Sequence, residues 1–183
     1  MRKLSILTMF LGFCLIPANA IAQDSYTQKR SQEIAASFSK EKQGVKDKHG
    51  VRSEKYKRVV SELALKQDVT AYSGEYEVPG FGHFLTIEVA RDGSVKATGT
   101  EPRNGATRSF RLEGGKISGA MLTATKVYDD GATEKFEGAF INRTDYISPA
   151  DGGSRAFGLG VVGIPAELAG VTVDRLFFQL KEN

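Results

Sequence analysis

The chain has no tryptophan, two histidines and a single cysteine among its 183 residues. That cysteine, Cys14, lies in an N-terminal segment built like a removable signal, so the mature chain is expected to carry no thiol. Disulfides, thiol catalysis and cysteine-ligated zinc are thereby excluded, and a small exported domain without disulfides has to rely on one well-packed core. With only His49 and His83 as imidazoles, neither a serine hydrolase nor a histidine-rich metal site has the side chains it needs. Long apolar runs are scarce too. The longest spans residues 4–16, short of the roughly 20 residues that cross a bilayer as a helix.

What surrounds that run gives it a meaning. Arg2 and Lys3 precede it, Pro17 ends it, and two small-x-small sites follow, Ala18-Asn19-Ala20 and Ala20-Ile21-Ala22. This is the three-part pattern of a secretory signal with cleavage expected after Ala22. The expected location is therefore secreted or periplasmic, with no transmembrane segment after cleavage. Phe13, just before Cys14, is too large for lipoprotein processing.

The remaining chain, about 160 residues, suffices for one domain with an appendage. The expected division is a signal at 1–22, a basic and partly flexible helical arm at 23–70, and a β domain at 71–183. Charge follows that division: residues 23–70 hold eleven Lys/Arg against seven Asp/Glu, whereas residues 71–183 hold twelve against fifteen. A basic arm on a slightly acidic body predicts either a solvated helix face or contact with an anionic envelope surface or a protein partner through residues 25–66. Nucleic acid is not expected, because the arm has few aromatics for base stacking and the protein is exported.

Two helices are predicted in the arm. The first covers residues 25–42, with Ile34, Ala35 and Phe38 on one face. The second covers residues 53–66, where Tyr56, Val59, Val60 and Leu63 fall at i, i+3, i+4 and i+7, the spacing of one apolar stripe. That stripe is expected to cap a barrel, pack on its wall or meet another chain.

From Tyr72 the period changes to two. Tyr76 and Val78 alternate with Glu75 and Glu77, and Leu85, Ile87 and Val89 alternate with Thr86 and Glu88. Asp92-Gly93 between alternating segments is a hairpin signal. Further turns are predicted at Gly114-Gly115 and Asp129-Asp130-Gly131, and one helical turn over residues 165–168. Eight strands result. A meander of that length removes its edges by closing, which predicts a mainly β fold: an eight-stranded antiparallel up-and-down barrel after an N-terminal helical arm, with a two-sheet sandwich as the alternative. The glycines inside strands (Gly99, Gly119, Gly138, Gly158 and Gly160) fit the sharp bending of a small barrel. In architecture alone this resembles the lipocalin and avidin group of barrels. Where those families tend to place Gly-x-Trp, this chain has Gly74-Glu75-Tyr76.

The chemical motifs reduce to structure. Gly158-x-Gly160-x-x-Gly163 matches a dinucleotide fingerprint in letters but has no room for the helix that must follow. Gly152-Gly153-Ser154-Arg155-Ala156 lacks the final glycine of a nucleophile elbow, and Asn142-Arg143-Thr144 is a glycosylation sequon. No pair of carboxylates stands out as acid and base, so no catalytic residue, metal or cofactor is expected. One stripe does change character: Phe136, Gly138 and Phe140 lead in phase to Asn142, Thr144 and Tyr146, as at the mouth of a barrel. His83, at the start of a strand, reads as a rim residue. Asn142, Arg143, Tyr146 and His83 are therefore the expected ligand-binding residues. The predicted function is an exported, non-enzymatic protein holding a small, largely apolar ligand in a β-barrel, with an envelope structural or interaction module using the N-terminal helical arm as its contact surface as the alternative.

Overall fold

In the computed structural model, residues 18–39, 59–145, 154–168 and 170–182 are described. One helix, α1 (Ala18–Phe38), precedes nine strands: β1 (Val59–Leu63), β2 (Gly74–Val78), β3 (His83–Val89), β4 (Ser94–Arg103), β5 (Ala106–Ser118), β6 (Met121–Tyr128), β7 (Thr133–Asp145), β8 (Ser154–Leu168) and β9 (Val171–Leu180). Strands β2 to β9 pair antiparallel in sequence order, and β9 returns to β2 through Tyr76↔Leu180 and Glu77↔Gln179. The sheet is thus a closed eight-stranded barrel rather than a sandwich.

Alternation decides what fills it. In β3 the side chains of His83, Leu85, Ile87 and Val89 are buried and those between them are exposed, and β4 repeats the pattern with Val95 and Ala97. Tyr76, Phe110, Phe136, Phe140, Leu159, Val161 and Phe178 complete one continuous interior cluster. Burying such side chains contributes roughly 1.5–3 kcal/mol each, the main return on a chain without disulfides.

The first predicted helix is present, and its apolar face does what its spacing implies. Ile34, Ala35 and Phe38 pack on Ala139 and Ile141 of the outer wall. Gly160 makes room for them: a Cβ there would stand 2.8 Å from the Phe38 ring. The helix begins inside the segment read as a signal, but its packed residues lie beyond the expected cleavage point.

Three local expectations are corrected. The stretch predicted as a second helix contains β1, which pairs with the Ile141–Asp145 half of β7, in line with β6 on the same edge. Phe140 joins the two, accepting from Ala64 N–H at 2.9 Å and donating to Ala120 O at 2.8 Å. A waiting strand edge outweighs a helical spacing that the β-branched Val59 and Val60 support only weakly; Tyr56 lies outside the described residues. Gly114-Gly115 is a bulge within β5, with Gly114 at φ 61°, and the turn comes later, at Gly119-Ala120. Residues 165–168 continue β8, because Ala166, Glu167 and Leu168 find partners in Val173, Thr172 and Val171.

Candidate functional site: the lip of the barrel

The barrel has two unlike ends. Strands β3 and β7 run the same way, so the start of one and the end of the other lie at opposite ends. His83 begins β3 and Asn142 comes near the end of β7. The expected grouping of His83 with Asn142 at one mouth is therefore wrong. Counting alternating strand directions would have revealed it, since the four hairpin reversals between β3 and β7 restore the same direction.

At the Asn142 end, β1, β7 and β8 form a three-stranded lip. Register sets Glu62, Asn142 and Phe157 in one row and Val60, Thr144 and Arg155 in the next. These side chains, with Arg143 and Ala156, line a cleft of about 520 Å³. Tyr146 lies outside the described residues. Arg143 falls between Asn142 and Thr144 in the strand, so it has the opposite phase; its guanidinium is 5.4 Å from the Phe177 ring. It reaches the cleft from the rim.

Aromatic rings fill the barrel beneath the cleft. Tyr72 and Phe140 stack at 4.1 Å, and Phe157 lies almost parallel to Phe140, at 6.1 Å and 7°. Tyr72 belongs to a 3-10 turn, Val69–Tyr72, whose N-cap Asp68 accepts from Thr70 N–H. The Tyr72 hydroxyl donates to Ala64 O at 2.5 Å and accepts from Lys66 N–H at 3.1 Å. Those bonds tie down residues 64–66 across the barrel end, and the Lys66 ammonium comes to rest 4.8 Å from the Phe157 ring centre. Burial raises the Tyr72 phenol above its ordinary pKa, so it stays a donor.

The opposite end holds a set of ionisable residues that sequence reasoning missed. Glu101 pairs with Lys126 inside the barrel, and the Tyr128 hydroxyl lies 2.9 Å from carboxylate oxygens of both Glu101 and Glu134. The Lys126 ammonium sits 4.3 Å from the Phe110 ring and 4.8 Å from that of Tyr128, whose face also meets Arg108 at 3.7 Å. Burial lowers the Lys126 pKa while Glu101 opposes the shift, and burial together with the two carboxylates raises that of Tyr128. The signal was present: Glu101 continues the inward phase of Val95, Ala97 and Gly99, and Lys126 that of Leu122 and Ala124. A charge in an apolar phase marks an interior partner.

His83 adjoins this set and is fully buried, which corrects its reading as a rim residue. Its Nδ1 lies 3.0 Å from Phe81 O; a carbonyl only accepts, so Nδ1 carries the proton and the neutral ring presents Nε2 as an acceptor. Nε2 is buried without a hydrogen-bond partner among the described residues. Burial pushes the His83 pKa down. With Glu101 and Lys126 at 7% and 3% exposure, this end is walled in and its opposite charges face each other. The lip, by contrast, opens to solvent.

A second cleft of about 420 Å³ lies on the outer wall, where Phe84, Thr86, Thr98, Thr100 and Arg111 face solvent. Among the described residues, no three His, Cys, Asp or Glu side chains gather as a metal site, and no helix is long and apolar enough to cross a membrane. No protein-family model, curated protein or solved structure matches the chain. The class that fold and site define is a closed up-and-down barrel with one open, aromatic-floored lip and one closed, charged end.

Proposed function

We propose that this is an exported, non-enzymatic binding protein that holds a small ligand, apolar in its body and polar at one end, at the lip of its barrel. The observation carrying this reading is the cleft of about 520 Å³ in which Asn142, Thr144 and Arg155 surround Phe157. Pockets of roughly 300–1,000 Å³ with an apolar base and a few converging polar groups suit small molecules. Tyr72 and Phe140 occupy the interior beneath, both 0% exposed, so the ligand rests on Phe157 at the lip rather than deep in the lumen. Chemistry is disfavoured by the same geometry: the ionisable cluster around Glu101 is enclosed at the other end. The alternative, an envelope module acting through its arm, is weakened because Ile34, Ala35 and Phe38 pack on this chain's own wall.

Export enters the proposal from the first 22 residues. Native mass spectrometry of the protein recovered from its own host tests both parts. The expected mass is that of a chain beginning at Gln23 plus a small organic adduct that Phe157→Ala weakens. A mass with no adduct beyond the polypeptide, in freshly recovered protein, would overturn the binding reading.

A further inference from the structure

Resting on the lip as the ligand site, we propose that the ligand is a flat aromatic acid, its ring against Phe157 and its carboxylate turned to Arg155 and Lys66. Three features of the lip support this. First, Tyr72, Phe140 and Phe157 form a triangle of nearly parallel rings, with centroids 4.1, 6.1 and 6.3 Å apart and interplanar angles of 18°, 7° and 12°. Tyr72 and Phe140 are fully buried and Phe157 is only half-buried, so Phe157 is the open corner of the cluster. Rings prefer offset, near-parallel neighbours, and a planar ligand joins the cluster at Phe157 where a flexible chain does not.

Second, cations flank that open corner. Lys66 lies 4.8 Å from the Phe157 ring centre. Arg155 stands two residues before Phe157 in β8, hence on the same face of the strand. A guanidinium binds a carboxylate through two parallel hydrogen bonds, which fixes direction as well as charge. Third, Thr144 and Asn142 pair in register with Arg155 and Phe157, placing a hydroxyl and an amide donor beside the expected carboxylate. Glu62, opposite Asn142, is the one acid among the described lining residues. It disfavours a second negative charge on the ligand's body, so a monoacid fits better than a diacid.

The test compares three probes on the mature protein: 2-naphthoate, 2-naphthalenemethanol and decanoate, followed by calorimetry and by amide NMR shifts. Naphthoate is expected to bind at least about tenfold tighter than either of the others, with shifts centred on Asn142, Thr144 and Phe157. Arg155→Gln should lower naphthoate affinity by about tenfold and leave the alcohol unchanged. Phe157→Leu should weaken naphthoate and spare decanoate. Arg155 is exposed, so its variant reports even if Phe157→Leu fails to fold. If decanoate or the alcohol binds the lip as tightly as naphthoate, the aromatic-acid assignment is overturned and the lip remains a ligand site. If none of the three shifts the lip residues, the lip reading falls with it.

Discussion

Glu101 and Lys126 form an ion pair inside the barrel, twenty-five residues apart in sequence and both buried. Neither charge is tolerable there alone. Water is excluded, so each depends on its partner and on the surrounding groups: Tyr128 for the carboxylate, the Phe110 and Tyr128 rings for the ammonium.

Removing one partner should therefore cost more than removing both. Glu101→Ala or Lys126→Ala is expected to destabilise the fold by about 3–5 kcal/mol, the cost of an uncompensated buried charge. The pair Glu101→Leu with Lys126→Met should lie well above either single variant, because Tyr128 keeps Glu134 as an acceptor. Urea unfolding of the four proteins checks this; a double variant as unstable as the singles would contradict it.

His83 predicts a pH dependence of opposite origin. Burial lowers its folded pKa, so the unfolded chain takes up a proton at that residue first. Stability is complete above the unfolded histidine value of about 6.5, falls as pH drops below it, and levels off once the folded value is passed. His83→Leu should flatten that stretch of the curve. The depressed carboxylates, Glu137 beside Lys135 and Arg30 among them, act lower: their contribution disappears as pH falls below about 4.3. Thermal melts from pH 8 to pH 3 separate the two windows.

Tyr72→Phe should keep the ring stack and lose the hydroxyl that holds Ala64 O and Lys66 N–H. Leaving two partly buried backbone groups without that partner is expected to cost about 1–3 kcal/mol. The more specific readout is local: amide exchange at Lys66, whose N–H the hydroxyl accepts, should speed up while that of β3 and β4 stays unchanged. Uniform acceleration across the barrel would point to a general packing defect instead.

Phe38→Ala should undock α1 without opening the barrel. The ring faces Phe177 at 6.1 Å between centroids and fills the space left by Gly160, and its loss is expected to cost about 3 kcal/mol at this buried site. Protection of Ile34 and Ala35 amides should vanish while the barrel strands keep theirs.

Much of this architecture was legible in the residues themselves. Leu85-Ile87-Val89 and Val95-Ala97 announce strands with one buried face, Asp92-Gly93 announces the hairpin between them, and Ile34-Ala35-Phe38 announces the packed side of α1. All are local signals, written within a few residues of one another. The lip was half legible: the change from Phe140 to Asn142 marked a polar strand end, but Glu62, Arg155 and Lys66 reach it from other segments.

What the sequence by itself determined, then, is which residues share a face and that those faces repeat with period two over eight strands. Only the tertiary structure decided which strand edge β1 would fill, where Glu101 meets Lys126, and that His83 and Asn142 belong to opposite ends. The physical reason is common to all three. Periodicity reports a side chain's direction relative to its own strand, whereas an edge, a buried charge pair and a barrel mouth are relations between strands, set by register and closure.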